Sequence, residues 1–298
     1  MELDNLKINF SSDNLWILNI VLAVIMFGVA LDITTADFKN LFKQPKTMFV
    51  GVFSQFIALP FLTYLLVLIV QPIPSVALGL MMIGACPGGN ISNFLSKLAG
   101  GNTALSVSLT AFATVLSVVM TPFNLSFYGN LYGPTQEVLS QISLDPLTLF
   151  KLVSLILGVP LLFGMLIRFY KPKIAGRIAK VLKPFSITVF ILMILSALFQ
   201  NWDIFLGYIH HVMALVITHN FIAIALGFVL ASLFKLSRKD RKTISIETGI
   251  QNAGLGLLLI FQFFEGLGGM ALLAAFWGIW DIFSGLGIAY LYSKKLPT

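Results

Sequence analysis

Hydrophobic residues run along the chain in nine blocks, near 15–35, 46–70, 74–98, 102–128, 147–170, 185–202, 208–234, 243–264 and 268–293. A helix needs roughly 20 mostly apolar residues to cross a bilayer, and most of the blocks reach that length. Several breaks between them carry Pro, Gly or charge, as at Gln71-Pro72-Ile73-Pro74, Gly100-Gly101-Asn102 and Lys171-Pro172-Lys173. The pattern predicts an all-α polytopic membrane protein with nine transmembrane helices. Two blocks are polar inside. The third is interrupted by Pro87-Gly88-Gly89-Asn90, residues that break a helix. The eighth holds Glu247, Gly249, Gln251 and Asn252 in its middle. Irregular backbone at membrane depth survives only where protein buries it or water reaches it. Two interrupted helices at comparable places in two halves of a chain point to a transport site at their meeting.

Composition agrees with this pattern. Of 298 residues, 58% are hydrophobic and only 10% are charged, whereas soluble domains carry roughly 25% charged residues. The formal net charge is +7, but its distribution follows topology. All of the 19 Lys and Arg residues except Lys7 and Lys151 fall on alternate connections and the C-terminus. The opposite side holds Glu2, Asp4, Asp13, Glu137, Asp145, Asp203 and Glu265. The positive-inside rule then predicts the N-terminus outside and the C-terminus in the cytoplasm, in a plasma membrane or bacterial inner membrane. This accounts for the basic charge without a nucleic-acid partner. The first block follows an acidic segment, not the positive one of a secretory signal, and reads as a retained helix. The single cysteine, Cys86, permits no intrachain disulfide.

Glu247 is the most informative residue. A carboxylate at membrane depth costs on the order of 3 kcal/mol even on lenient insertion scales, and no Lys or Arg lies mid-span to pair with it. A bound cation, a proton or a hydrogen-bond network could satisfy it. Glu247 and Gln251 stand at i and i+4, the spacing of one helix face, and Ser106 and Thr110 repeat that spacing in the fourth block. Ser92 and Asn93 follow the Gly-rich break, and Gln55 sits inside the second block. All are hard oxygen donors suited to a hard cation, although any one Ser or Thr in a membrane helix more often bonds its own backbone or a neighbouring helix. Unwound backbone at Pro87–Asn90 and Thr248–Ile250 would add carbonyls. Asp281, beside Trp280, is read as lining a cavity or capping a network, and Asp32 as interfacial. His219-Asn220 is read as a helix–helix hydrogen bond, His210-His211 as a loop feature and Cys86 as packing. Neither a His-Glu-x-x-His nor a phosphate-cradling Gly-x-x-x-x-Gly-Lys-Ser/Thr motif occurs, and three His and one Cys make a thiolate or histidine-rich metal site implausible. The chain reads as a carrier and not an enzyme.

The run Cys86-Pro87-Gly88-Gly89-Asn90-Ile91-Ser92-Asn93 resembles the first crossover motif of the bile acid:sodium symporter family, and Arg241–Asn252 resembles the second. The Asp37-Phe38-Lys39 and Lys43-Gln44-Pro45-Lys46 runs of the first cytoplasmic loop are a weaker match. The resemblance spans about 25–293 and suggests the nine-helix form of the sodium/bile acid cotransporters. It implies an inverted-repeat fold with a panel domain (1–45 and 129–205) and a core domain (46–128 and 206–298) in which two discontinuous helices cross. Carried over by motif, one Na+ site would use Ser92, Asn93, Ser106, Thr110 and Glu247. A second would use Gln55, Glu247, Gln251 and the carbonyls of Thr248 and Ile250. Substrate would lie near Asn90 and Asn252. Some relatives carry Asn in the last span where this chain has Ile282 beside Asp281. The implied activity is sodium-coupled import of a small organic anion (bile acid-like, steroid sulfate or carboxylate) by alternating access. The rival reading is a proton-coupled organic anion carrier.

Overall fold

The computed structural model describes residues 15–141, 146–182 and 202–294, with isolated positions at 4, 184–185 and 188. The predicted sixth span, 185–202, lies almost wholly outside these residues. Among the described residues the regular structure is helical throughout: α1 Leu15–Ala30, α2 Thr35–Phe42, α3 Pro45–Phe53, α4 Leu59–Val70, α5 Pro74–Ala85, α6 Ile91–Leu98, α7 Thr103–Leu131. After these come α8 Gly133–Gln141, α9 Pro146–Tyr170, α10 Trp202–Leu233, α11 Arg238–Gly249, α12 Ala253–Phe263 and α13 Gly268–Ser293. Among the described residues, five helical spans are long and apolar enough to cross a membrane, or six if the bent pair over 20–30 and 35–42 counts as one. The apolar helices α5 and α12 are shorter, because each belongs to an interrupted segment.

Local chemistry sets the ends. The first predicted span stops at Ala30, and the chain turns by 63° into α2. There Thr34 and Asp37 form a reciprocal capping box, which satisfies otherwise orphaned N–H groups. The Asp37-Phe38-Lys39 run is therefore helical and not a loop. Asn102 caps α7 and Ser237 caps α11, each accepting from the N–H three residues on. His210-His211 also departs from expectation: both lie within α10, because that helix starts at Trp202 and extends past the predicted block.

Two prolines inside helices are compensated. A proline cannot donate to the carbonyl four residues earlier. Pro60 thus frees the Phe56 carbonyl, and Asn124 Nδ2 of α7 donates to it at 2.9 Å. Pro122 frees the Val118 carbonyl, and Ser154 Oγ of α9 donates to it at 2.7 Å. In lipid such freed carbonyls need protein partners, so each proline fixes a helix–helix contact. The segment joining α3 to α4 is a π-helical turn, Ser54–Ala58. The helices α10 and α11 meet at very short range, where a Cβ on Gly227 would lie 2.6 Å from the Ile244 carbonyl. Small residues allow such close approach in membranes.

Candidate functional site

The interruptions of the third and eighth blocks meet. The chain leaves α5 at Cys86 and re-enters a helix at Ile91; it leaves α11 after Gly249 and re-enters at Ala253. Between these ends the two backbones run antiparallel, with Gly88 bridged to Gln251. Gly89 N–H donates to the Ile250 carbonyl at 2.8 Å, and Asn252 N–H to the Pro87 carbonyl at 2.9 Å. Groups that could not be left bare at this depth thus pair with each other. Glycine is required here by space: a Cβ on Gly88 would lie 2.9 Å from the Glu247 carbonyl and 3.0 Å from Glu247 Oε2. The second break sits two residues later than the sequence suggests, over Ile250–Asn252, while Thr248 and Gly249 remain helical. Gln251 has therefore left the helix, and the i, i+4 face argument does not hold. It reaches the site through the bridge to Gly88 instead.

Glu247 lies in the last turn of α11 with its side chain wholly buried. Its Oε1 accepts from Ser92 Oγ at 2.5 Å and from Ser106 Oγ, and its Oε2 accepts from Thr110 Oγ1 at 2.8 Å. Thr110 also lies 3.2 Å from Asn93 Oδ1, and Ser96 Oγ lies 3.2 Å from Ser106 Oγ. The five residues expected around one cation, Ser92, Asn93, Ser106, Thr110 and Glu247, are thus gathered from α6, α7 and α11. Among the described residues, the side chains that donate to the carboxylate are these three hydroxyls and not a Lys or Arg.

A second set lies beside Gly88. Gln55 Nε2 donates to the Glu247 carbonyl at 3.3 Å, and Gln251 Nε2 to the Thr248 carbonyl at 2.7 Å. The amide oxygens Gln55 Oε1 and Gln251 Oε1 are both buried without a hydrogen-bond partner. An orphaned buried acceptor costs roughly 1–3 kcal/mol, and here two belong to residues whose amide nitrogens bond the Glu247 and Thr248 carbonyls. A hard monovalent cation suits this donor set of amide oxygens, carbonyls and carboxylate. The Ile250 carbonyl already accepts from Gly89, with one lone pair left over.

Ser54, and the means by which Gln55 is aimed, escape sequence reading. Gln55 is aimed by the π-helical turn, a feature that often marks functional positions. The adjacent Ser54 Oγ lies 2.7 Å from Thr248 Oγ1, tying that turn to α11. The only sequence signal is Ser54-Gln55 within an apolar run, with Pro60 just beyond. Asp281 of α13 is buried and accepts from Asn220 Nδ2 at 3.2 Å, while the same amide donates to the Gly249 carbonyl at 2.8 Å. Asn220 so links α10, α13 and the second break. His219 Nε2 and Thr63 Oγ1 are 2.6 Å apart across α10 and α4.

A cavity of about 230 Å³ opens where α1 faces the crossing. Leu22, Met26 and Val29 line one wall, and Asn90, Thr114 and Asn252 give it polar groups. It brings together the two residues expected near substrate. Asn252 Oδ1 caps α12 by accepting from Leu255 N–H at 3.0 Å, so the amide N–H groups are what Asn252 can offer a ligand. Asp32 stands at the same cavity, exposed.

Residues 19–208 match the model of the Sodium Bile acid symporter family. The chain belongs to this family. It is also 31% identical to the uncharacterized sodium-dependent transporter YocS of Bacillus subtilis (strain 168), covering 98% of this chain and 88% of that protein. It is 28% identical to the probable chloroplastic sodium/metabolite cotransporter BASS1 of Arabidopsis thaliana, over 82% of this chain and 58% of the other. It is 29% identical to the sodium/bile acid cotransporter 4 of Mus musculus, over 78% and 53%. The chain thus spans most of the bacterial relative and little more than half of the plant and animal ones. Membership in a symporter family makes it a multi-pass membrane transporter and not an enzyme.

Proposed function

We propose that this protein is a sodium-coupled symporter that imports a small organic anion by alternating access. The observation that carries this reading is the pair of buried, partnerless amide oxygens, Gln55 Oε1 and Gln251 Oε1, beside the buried Glu247. One Na+ would be held by Ser92, Asn93, Ser106, Thr110 and Glu247. A second would be held by Gln55, Glu247, Gln251 and the carbonyls of Thr248 and Ile250. The relatives' sodium dependence supports the choice of ion. The anion would lie at the cavity by Asn90 and Asn252. The helices α6 and α12 both begin there, and helix N-termini favour negative charge. In this account the core is 46–128 with 206–298, and it moves against a panel of 1–45 with 129–205. An inverted repeat of nine helices with the N-terminus outside completes the architecture.

Coupling follows from shared parts. Sodium at Glu247 would neutralise the carboxylate and fix the α6–α11 junction, and so order the crossing that the anion touches. By linkage, substrate must tighten sodium by the factor that sodium tightens substrate. A proton-coupled carrier is the second reading, favoured by the complete burial of Glu247, whose charge a proton would neutralise as a cation would. Uptake of candidate carboxylates and sulfates into proteoliposomes separates the two. An inward sodium gradient at equal pH should drive accumulation, and collapsing it with a sodium ionophore should stop it. Accumulation that follows an imposed pH gradient and ignores sodium would establish the proton reading instead.

A further inference from the structure

On the basic face, away from the crossing, a cavity of about 290 Å³ lies between α10, α11 and α13. Four cations line it: Arg238, Arg241, Lys242 and Lys294. Arg238, Arg241 and Lys242 stand at i, i+3 and i+4 of α11, which puts them on one helix face. The positive-inside rule explains why basic residues gather on this side. It does not explain why four line one concavity, nor why no carboxylate among the described residues lines it with them. Asp240, on the same helical turn, is engaged by Asn102 Nδ2 at 2.7 Å and Ser237 Oγ at 2.6 Å instead. The cationic heads bond carbonyls and a ring: Arg241 Nε to Leu236, Lys242 Nζ to Ala99 and Tyr292, and Lys294 Nζ over Tyr290. Burial, and then the Arg238 charge, hold the Lys242 ammonium below the ordinary lysine range. An anion would relieve that conflict.

The rest of the lining is apolar and aromatic. Phe228 and Tyr292 pair across it at 5.9 Å between ring centroids, and Leu291 is exposed on the helix flank. Exposed Phe228, Leu291 and Tyr290 continue the outer surface of the helices, where acyl chains would run. A basic pocket between membrane helices with an apolar flank has the composition that holds a phosphate head group over its chains.

We propose that this cavity binds the phosphate of an anionic phospholipid, with Arg238, Arg241, Lys242 and Lys294 as its cationic cradle. The test compares purified protein in detergent supplemented with phosphatidylglycerol, with phosphatidylcholine, or with inorganic phosphate alone. Thermal midpoint and lipid retention in native mass spectrometry are read together. Phosphatidylglycerol should raise the midpoint and be retained, and phosphatidylcholine should do neither. Each basic side chain near an anionic lipid contributes about 1 kcal/mol, so Arg238→Gln with Lys294→Gln should weaken phosphatidylglycerol binding on the order of 30-fold. Arg238→Lys with Lys294→Arg should retain it, which guards against a folding defect. Lys39→Gln with Lys46→Gln, two exposed cations outside the cavity, should leave it unchanged. A rise with inorganic phosphate equal to that with phosphatidylglycerol would assign the same cradle to a soluble ion. Equal effects of the two lipids, or equal loss in both Gln double variants, would overturn the proposal.

Discussion

Glu247 accepts three hydroxyls and, among the described residues, no Lys or Arg, while two nearby glutamine oxygens are unpaired. Such a site is costly to fold and favourable to fill. Natural sites built for a ligand often sacrifice stability in this way. The trade predicts a salt-dependent effect. Gln55→Leu and Gln251→Leu each remove a buried orphan acceptor worth roughly 1–3 kcal/mol, and each also takes an amide donor from a buried carbonyl, so the two terms offset. In potassium buffer each variant should melt near the wild type, and in sodium buffer clearly below it. Thermal melts in matched salts check this; variants that lose stability equally in both salts would mean the amides are structural only. At this scale much was legible. A carboxylate, two amides and paired hydroxyls stand out in apolar blocks, and all of them converge. What the chain order hid was the means of convergence, since Gln251 reaches the site off a bridge to Gly88 and not along a helix face.

The two interrupted segments act as one device. Each donates a backbone N–H to the other, and Gly88 and Gly89 keep the strands close enough for carbonyls and carboxylate to share a small volume. Gly88→Ala would press a methyl against Glu247, so it should fold yet lose most sodium stabilisation, as read by the sodium dependence of the melting midpoint. The compensated prolines give a second prediction. Asn124→Ala leaves the Phe56 carbonyl without its donor, and an unsatisfied buried carbonyl costs roughly 1–3 kcal/mol. Asn124→Ala should therefore lower thermal stability in sodium and potassium alike, unlike the glutamine variants. Helix breaks were readable because Pro and Gly at membrane depth have few explanations. The π-helical turn at Ser54–Ala58 was not, because the donor that satisfies its Phe56 carbonyl, Asn124, comes from another helix. The bend between α1 and α2 was hidden likewise. A short polar run with a capping box reads as a loop until the box is seen closed.

Over the whole molecule, the basic and acidic connections alternate, and the account places the N-terminus outside. Cys86 is fully buried, so the wild type should be nearly silent to a membrane-impermeant maleimide and single-cysteine reporters can be read against it. Gln136→Cys should be labelled in intact cells, and Lys239→Cys only after permeabilisation; the reverse would invert the topology. At this scale the class of molecule is legible in the scarcity of charge, whereas panel against core depends on packing between distant segments. The central claim is that sodium binds at the crossing on Glu247. The most direct test is the melting midpoint of the purified protein in sodium against potassium, wild type beside Glu247→Ala. The account predicts that sodium raises the wild-type midpoint, that potassium at the same ionic strength does not, and that the variant responds to neither. A wild type indifferent to sodium, or a variant that sodium still stabilises in full, would contradict it.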